Sequence, residues 1–398
     1  MALDSQLNVP AKEKDMIGKL TRIAALFAGV GAMTSAHAAL NLEFIEGTAI
    51  PAPYVAYDDA KSYSLPVLGF LHEYITNGVL QDSIQPGNPY YVNSTPGAIK
   101  DLIVVATGAS GGPVNENFAG MDNAYATPNS PAGQPFKDPF FSTGTVTDPG
   151  EVAPFAGDSA DTWDMRLSSF ADFLGTEAPI FLFNNNQVNS GGSTDQSLAA
   201  WMAITLHDEQ DATATRTLYF RNRTDGSDTP GKYALVSEGG GGVLNGTVGN
   251  GTSGVAVGPV AGTGDSTDYV LSGGGLCYKA PPSLDVVSCS SPDAFGGPIN
   301  HNLGANEAVY ALVFPELNRI LELADFGGYD YLSIDIRLGC DPSLSPKDPV
   351  CDGRSLSNGY EQLFIATATT TTNVPEPGAL ALMGAALGGL AFARRRKS

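Results

Sequence analysis

Tyr331-Leu332-Ser333-Ile334-Asp335-Ile336-Arg337-Leu338 is a short run rich in Ile, Leu and Tyr, the composition of a β-strand. Similar runs recur at Leu40–Ile45, Leu102–Ala106, Ile180–Asn184, Thr217–Arg221, Tyr269–Leu271, Val309–Phe314 and Tyr360–Ala366, separated by clusters of Gly, Pro, Asn and Asp. The spacing and turn chemistry predict a mainly β body, a β-sandwich or jelly-roll-like ectodomain with a few short helices. Three segments are predicted helical. Trp163–Leu174 follows the potential caps Asp161 and Thr162, and Asp195–Leu206 sets Leu198, Trp201, Met202 and Thr205 on one face. Pro315–Ala324 begins with Pro near its first turn.

Composition supports the same class. Of 398 residues, 47 are Gly and 27 Pro, charged residues make up only 16%, and 42% are hydrophobic. That is too little charge and too much Gly for a helix bundle, but enough apolar material for a core. The formal net charge is −21, which excludes a nucleic-acid partner, because phosphate neutralisation needs clustered Lys and Arg. Residues 39–374 hold 13 basic and 38 acidic side chains, so the body is more acidic than the whole chain.

The two ends read as addresses. Lys19 and Arg22 precede the apolar run Ile23–Met33, and Ala36-His37-Ala38 supplies an A-x-A cleavage site. Residues 1–38 therefore read as a secretory signal peptide, with translation starting at Met1 or at Met16. At the far end, the Thr-rich linker 367–374 leads into Pro375-Glu376-Pro377. Sixteen apolar or small residues follow, Gly378–Ala393, and then Arg394-Arg395-Arg396-Lys397-Ser398. As a transmembrane helix, 378–393 would be about 24 Å long, short of a hydrocarbon core of about 30 Å unless the arginines snorkel. The basic cluster belongs on the cytoplasmic side, which places the body across the inner membrane.

This arrangement at residues 375–398 resembles the PEP-CTERM sorting signal of Gram-negative bacteria, with Pro375, Glu376 and Pro377 as the motif and Arg394, Arg395 and Arg396 in the terminal cluster. The resemblance implies an inner-membrane-anchored precursor, an exosortase-type membrane protease as partner, removal of the tail, and export to the cell surface or matrix in association with exopolysaccharide. It covers about 25 residues and implies nothing about the fold of the body.

The body, residues 39–366, reads as one domain with a Gly-rich insertion at 238–275. Cys277 and Cys289 are twelve apart and Cys340 and Cys351 eleven apart. In an exported chain these favour two local disulfides, Cys277–Cys289 and Cys340–Cys351, out of three possible connectivities. Neither pair has the spacing or His partners of a zinc site.

Catalytic signals are thin. Gly108-Ala109-Ser110-Gly111-Gly112 satisfies the nucleophile-elbow pattern, but Pro113 and Asn115-Glu116-Asn117 do not start the helix an elbow needs. His72, His207 and His301 are far apart in sequence, which gives a histidine metal site little support. Calcium is the more plausible ion, through Asp341, Asp348 and Asp352 in and beside the Cys340–Cys351 loop, against a reading of solvated turn residues. Asn184-Asn185-Asn186-Gln187 after an apolar strand offers amides that suit sugar recognition, against a reading as an Asn-rich turn.

The leading expectation is an exported, non-enzymatic surface or matrix protein, with no cofactor beyond candidate Ca²⁺. The alternatives are a carbohydrate-binding module and, more weakly supported, a secreted hydrolase.

Overall fold

The computed structural model describes residues 40–80, 84–108, 115–128, 140–151, 153–155, 157–187, 198–221, 256–259, 266–268, 270–280, 286–287, 289–339 and 356–368. The signal peptide, Ser110, Cys340, Cys351, Asp341, Asp348, Asp352, the span 378–393 and the whole sorting tail lie outside these residues. Among the described residues, no helix is long and apolar enough to cross a membrane.

In chain order the elements are β1 (Val55–Tyr57), β2 (Ala60–Ser64), α1 (Leu65–Asn77), α2 (Pro96–Ile99), β3 (Ile103–Gly108), β4 (Tyr125–Thr127), β5 (Phe140–Ser142), β6 (Trp163–Arg166), α3 (Leu167–Leu174), β7 (Ala178–Asn185), β8 (Leu198–His207) and β9 (Thr215–Phe220). They continue with β10 (Ala256–Pro259), β11 (Ser266–Asp268), β12 (Val270–Ser272), β13 (Gly275–Lys279), β14 (Val286–Val287), β15 (Ala294–Asn300), β16 (Gly304–Val313), α4 (Pro315–Leu321), β17 (Tyr331–Gly339) and β18 (Leu363–Ala368). The protein is mainly β, with several sheets and few helices.

The largest sheet runs β1-β2-β16-β7-β18-β3-β4 and is antiparallel except for the parallel pair β3–β4. The second runs β12-β8-β17-β5, with β9 also on β8 and β6 also on β17. Alternation along the strands explains how they meet. Phe181 and Phe183, Leu363 and Ile365, and Ile103 and Val105 share a hydrophobic cluster with Leu198, Met202, Ile204, Leu332, Ile334 and Ile336 of the second sheet. Their neighbours Ile180, Leu182, Phe364 and Val104 point the other way, into a second cluster closed by Leu65 and Leu68 of α1 and by Leu40, Leu42 and Tyr90. The large sheet is thus buried on both faces, so its strands read as continuous apolar runs.

Leu40–Ile45, expected as a strand, is part of that cover. Asn41 Oδ1 accepts from the amides of Glu43 and Phe44, and the chain turns back so that the Ile45 amide donates to Ile50 O. Only an isolated bridge, Phe44 to Pro51, remains of strand pairing.

Two helix expectations are corrected. Asp195–Leu206 is not a helix in its described part, which lies within strand β8. Leu198, Ala200, Met202, Ile204 and Leu206 belong to the inter-sheet core, and β17 and β9 pair with β8 on either side. The ladder outweighs the helical spacing of Leu198, Trp201, Met202 and Thr205. Trp163–Leu174 begins as strand β6, whose Trp163 and Met165 enter the core, and becomes helical only at Leu167. Pro315–Ala324 is helical over Pro315–Leu321, as expected.

α1 was not anticipated. Ser64 caps it by accepting from the Val67 amide, Pro66 stands in its first turn, and Gly78 ends it in the left-handed region at φ 69°. At Gly69 an added Cβ would lie 1.7 Å from Ile84 Cγ2, so this helix face needs glycine to seat on the segment beside it.

Within the expected Gly-rich insertion, β10 and β11 form a hairpin and β12 joins the edge of β8. The Cys277–Cys289 disulfide is present and ties β13 to the turn after β14. A loop of this size adds about 3 kcal/mol in the chain-entropy description.

Candidate functional site

The amide run lies at the end of the inter-sheet core rather than on an open turn. Asn184 and Asn185 are the last residues of β7, and both are 0% exposed. Asn184 donates to Gln362 Oε1 at 2.7 Å and to Ala305 O at 3.0 Å, while its Oδ1 accepts from the Gln362 amide at 2.6 Å. Gln362 in turn donates to Thr107 Oγ1 at 3.0 Å, so one polar chain links the end of β7, the residue before β18, and β3. Asn185 donates to Ser272 Oγ at 3.2 Å, and Gln187 Oε1 accepts from the Ser357 amide and hydroxyl. Asn186 is half-buried and donates to Gly359 O. Asn184, Asn185 and Gln187 therefore present no surface on which a sugar could stack or bond. Asn184 and Gln362 satisfy one another where strand ends would otherwise leave buried polar groups unpaired, whereas Asn185 Oδ1 is buried without a partner.

The histidines do not converge on a catalytic centre either. His72 lies on α1 beside the Glu46 carbonyl, and His207 stacks on Tyr331 at 4.6 Å with burial holding its pKa down. His301 is enclosed. Its Nδ1–H donates to Ile299 O at 2.8 Å, which leaves Nε2 to accept from the Ser64 hydroxyl. Burial pushes its pKa down to about 4, so it is neutral at physiological pH. Ser64 and His301 superficially resemble a nucleophile and its base, but the third position is a carbonyl and the serine is the buried cap of α1. Among the described residues, no histidine hydrogen-bonds a carboxylate.

A third site is acidic and lies outside the sequence motifs described above. Gly120-Met121-Asp122 crosses the edge of β6. The Arg166 amide donates to Gly120 O, the Asp122 amide donates to Asp164 O, and the Asp164 amide donates back to Asp122 Oδ2 at 2.6 Å. On the other side, Asp122 forms an isolated bridge with Glu151, and the Asn123 amide donates to Gly150 O. These contacts bring Asp122, Glu151 and Asp158 together, with one carboxylate oxygen from each within 4.8 Å of the others. Asp122 is 0% exposed, Glu151 is half-buried and Asp158 exposed, so the group runs from a closed floor to an open rim.

Asp122 Oδ1 is buried without a hydrogen-bond partner. Burial, reinforced by the carboxylates of Asp164, Asp148 and Asp158, pushes the Asp122 pKa up to about 8 despite the Asp164 amide. Asp158 is raised by burial and by Glu151 and Asp148. Asp164 is raised by burial to about 6, offset by bonds from Ser333, the Ser159 amide and Thr162. An all-oxygen group of this kind can hold a proton or a hard cation.

Comparison with known families places this body and its tail. The family model described as Domain of unknown function (DUF8239) matches residues 48–337. The chain belongs to the DUF8239 family. The match contains Asp122, Glu151, Asp158, Asn184–Gln187, His72, His207 and His301, but stops short of β18, which lies inside the large sheet. A second match, to the PEP-CTERM protein-sorting motif, covers residues 373–397. This DUF8239 chain is therefore sorted by exosortase and exported to the envelope of a Gram-negative bacterium through a membrane-anchored precursor. No curated protein and no solved structure matches it.

Proposed function

We propose that the chain is a non-catalytic surface or extracellular-matrix protein that associates with exopolysaccharide after exosortase removes its tail. The observation that carries this reading is the PEP-CTERM motif at 373–397, five residues beyond the last strand of the body. The body, read as a β-sandwich with a disulfide tying β13 to the turn after β14, suits an exported scaffold. The enclosed Ser64–His301 pair and the scattered histidines support a body without hydrolytic chemistry.

The test is fractionation of cells grown as a biofilm, with and without exopolysaccharide synthesis. The protein is expected in the extracted matrix of the parent and in the free medium of the polysaccharide-deficient strain. An unchanged distribution between the two strains would refute the association.

A further inference from the structure

Asp122 poses a physical problem that solvated surface acids do not. Its Oδ2 is occupied by the Asp164 amide, and its Oδ1 is buried with no partner. An isolated buried carboxylate costs several kcal/mol unless it gains a proton or a counter-charge. Its surroundings are themselves acidic, among them Glu151 and Asp158, each with a carboxylate oxygen within 4.8 Å of the others of the group. Asp122 lies on the segment bonded to β6, Glu151 bridges to it beside Gly150, and the amide of Ser159, next to Asp158, donates to Asp164 Oδ2, so the convergence is built into the chain path.

We propose that Asp122, Glu151 and Asp158 bind one calcium ion. The donors are all oxygen, with neither His nor Cys among them, which selects a hard cation over zinc or copper. The exposed Asp158 side leaves the remaining positions to water, and calcium tolerates such irregular sets where magnesium requires near-octahedral order. Asp164 is not a ligand here. Its oxygens already receive the Ser159 amide and the Thr162 hydroxyl, and it serves to orient Asp122. A bound ion would add side-chain ties from Glu151 and Asp158 to the loop at Asp122, beside the existing backbone bridge between Asp122 and Glu151. The inference is independent of any association with polysaccharide.

The experiment uses the full-length protein stripped with EDTA, followed by calorimetric titration and thermal unfolding in CaCl₂ and, separately, MgCl₂. With three carboxylates and an open rim, a Kd of about 10⁻⁴ to 10⁻³ M is expected, as in extracellular calcium modules. At about a hundredfold excess over Kd, the melting temperature should rise by several degrees. Asp158→Asn changes only an exposed rim side chain and should weaken calcium binding about tenfold or more while keeping the unliganded melting temperature. Glu151→Gln should do the same. Asp122→Asn should melt at or above the parent without calcium, where repulsion is relieved, and below it with calcium.

Three results would overturn the proposal. One is the absence of both heat and thermal shift in the parent protein. Another is a calcium shift undiminished in Asp158→Asn and Glu151→Gln, which would place the ion elsewhere. The third is an equal response to MgCl₂, which would remove the assignment to calcium.

Discussion

A chain ended after Gly359 will not reach the native fold, although it contains every residue of the DUF8239 match at 48–337. What it lacks is β18, which lies between β7 and β3 and is hydrogen-bonded to both. Leu363, Phe364 and Ile365 are 2%, 0% and 0% exposed, with Leu363 and Ile365 in one core cluster and Phe364 in the other. Losing three such side chains removes about 1.5–3 kcal/mol each in transfer free energy, before the unpaired edges of β7 and β3 are counted. Against a total stability of about 5–15 kcal/mol, that loss is decisive. Gln362 goes too, and with it the partner of Asn184. A chain ended after Thr372 keeps β18 and should melt as the full body does. Circular-dichroism melting and size-exclusion chromatography of both truncations provide the check. A soluble, cooperatively melting chain ended at Gly359 would contradict the assigned sheet order.

Glu361→Gln should stabilise the protein, by an amount that grows with pH. Glu361 is 0% exposed, and neither carboxyl oxygen has a partner with hydrogen-bond geometry. Burial raises its pKa from 4.5 to about 8, only partly opposed by its own amide and that of Asn186. Between those two values the native state holds more protons than the unfolded chain, so stability falls as pH rises. The loss is complete above the folded pKa and is on the order of 5 kcal/mol. Glutamine keeps the shape and cannot ionise. The two proteins should therefore melt together near pH 4.5 and diverge up to about pH 8, with the variant higher. An offset that does not change with pH would mean that Glu361 does not carry a proton in the native state.

The β class was legible because its runs are rich in β-branched and aromatic residues, and β3, β7, β9, β16, β17 and β18 lie on or beside expected strands. β8 was not legible. Leu198, Trp201, Met202 and Thr205 satisfy a helical spacing, while Leu198, Ala200, Met202, Ile204 and Leu206 satisfy a strand. The choice is made by β17, far along the chain, which no local window contains. α1 did carry local signals in Ser64, Pro66 and Gly78, but its first half, Leu65–Leu71, is apolar throughout and reads equally as a buried strand.

The candidate sites divide along the same line. Cys277 and Cys289 are close in sequence, and their pairing could be proposed from spacing in an exported chain. The Asn184–Gln187 run was conspicuous, but burial decides its role, and burial depends on Gln362, Thr107 and Ser357 from distant segments. Asp122, Glu151 and Asp158 form no motif because they lie on loops that are distant in sequence and meet through a bridge that no local window contains. A signal did exist in Gly120-Met121-Asp122-Asn123, whose polar turn follows no apolar pattern, but nothing in it points to Glu151.

Export and sorting depend on the tail at residues 373–397. Intact-mass analysis of the protein recovered outside the inner membrane, from cells with and without exosortase, tests that claim. With exosortase, the recovered species should begin after Ala38 and lack the C-terminal tail that ends at Ser398; without it, the tail should remain and the protein should stay with the inner membrane. A matrix-associated species that retains Ser398 in cells with active exosortase would contradict the account.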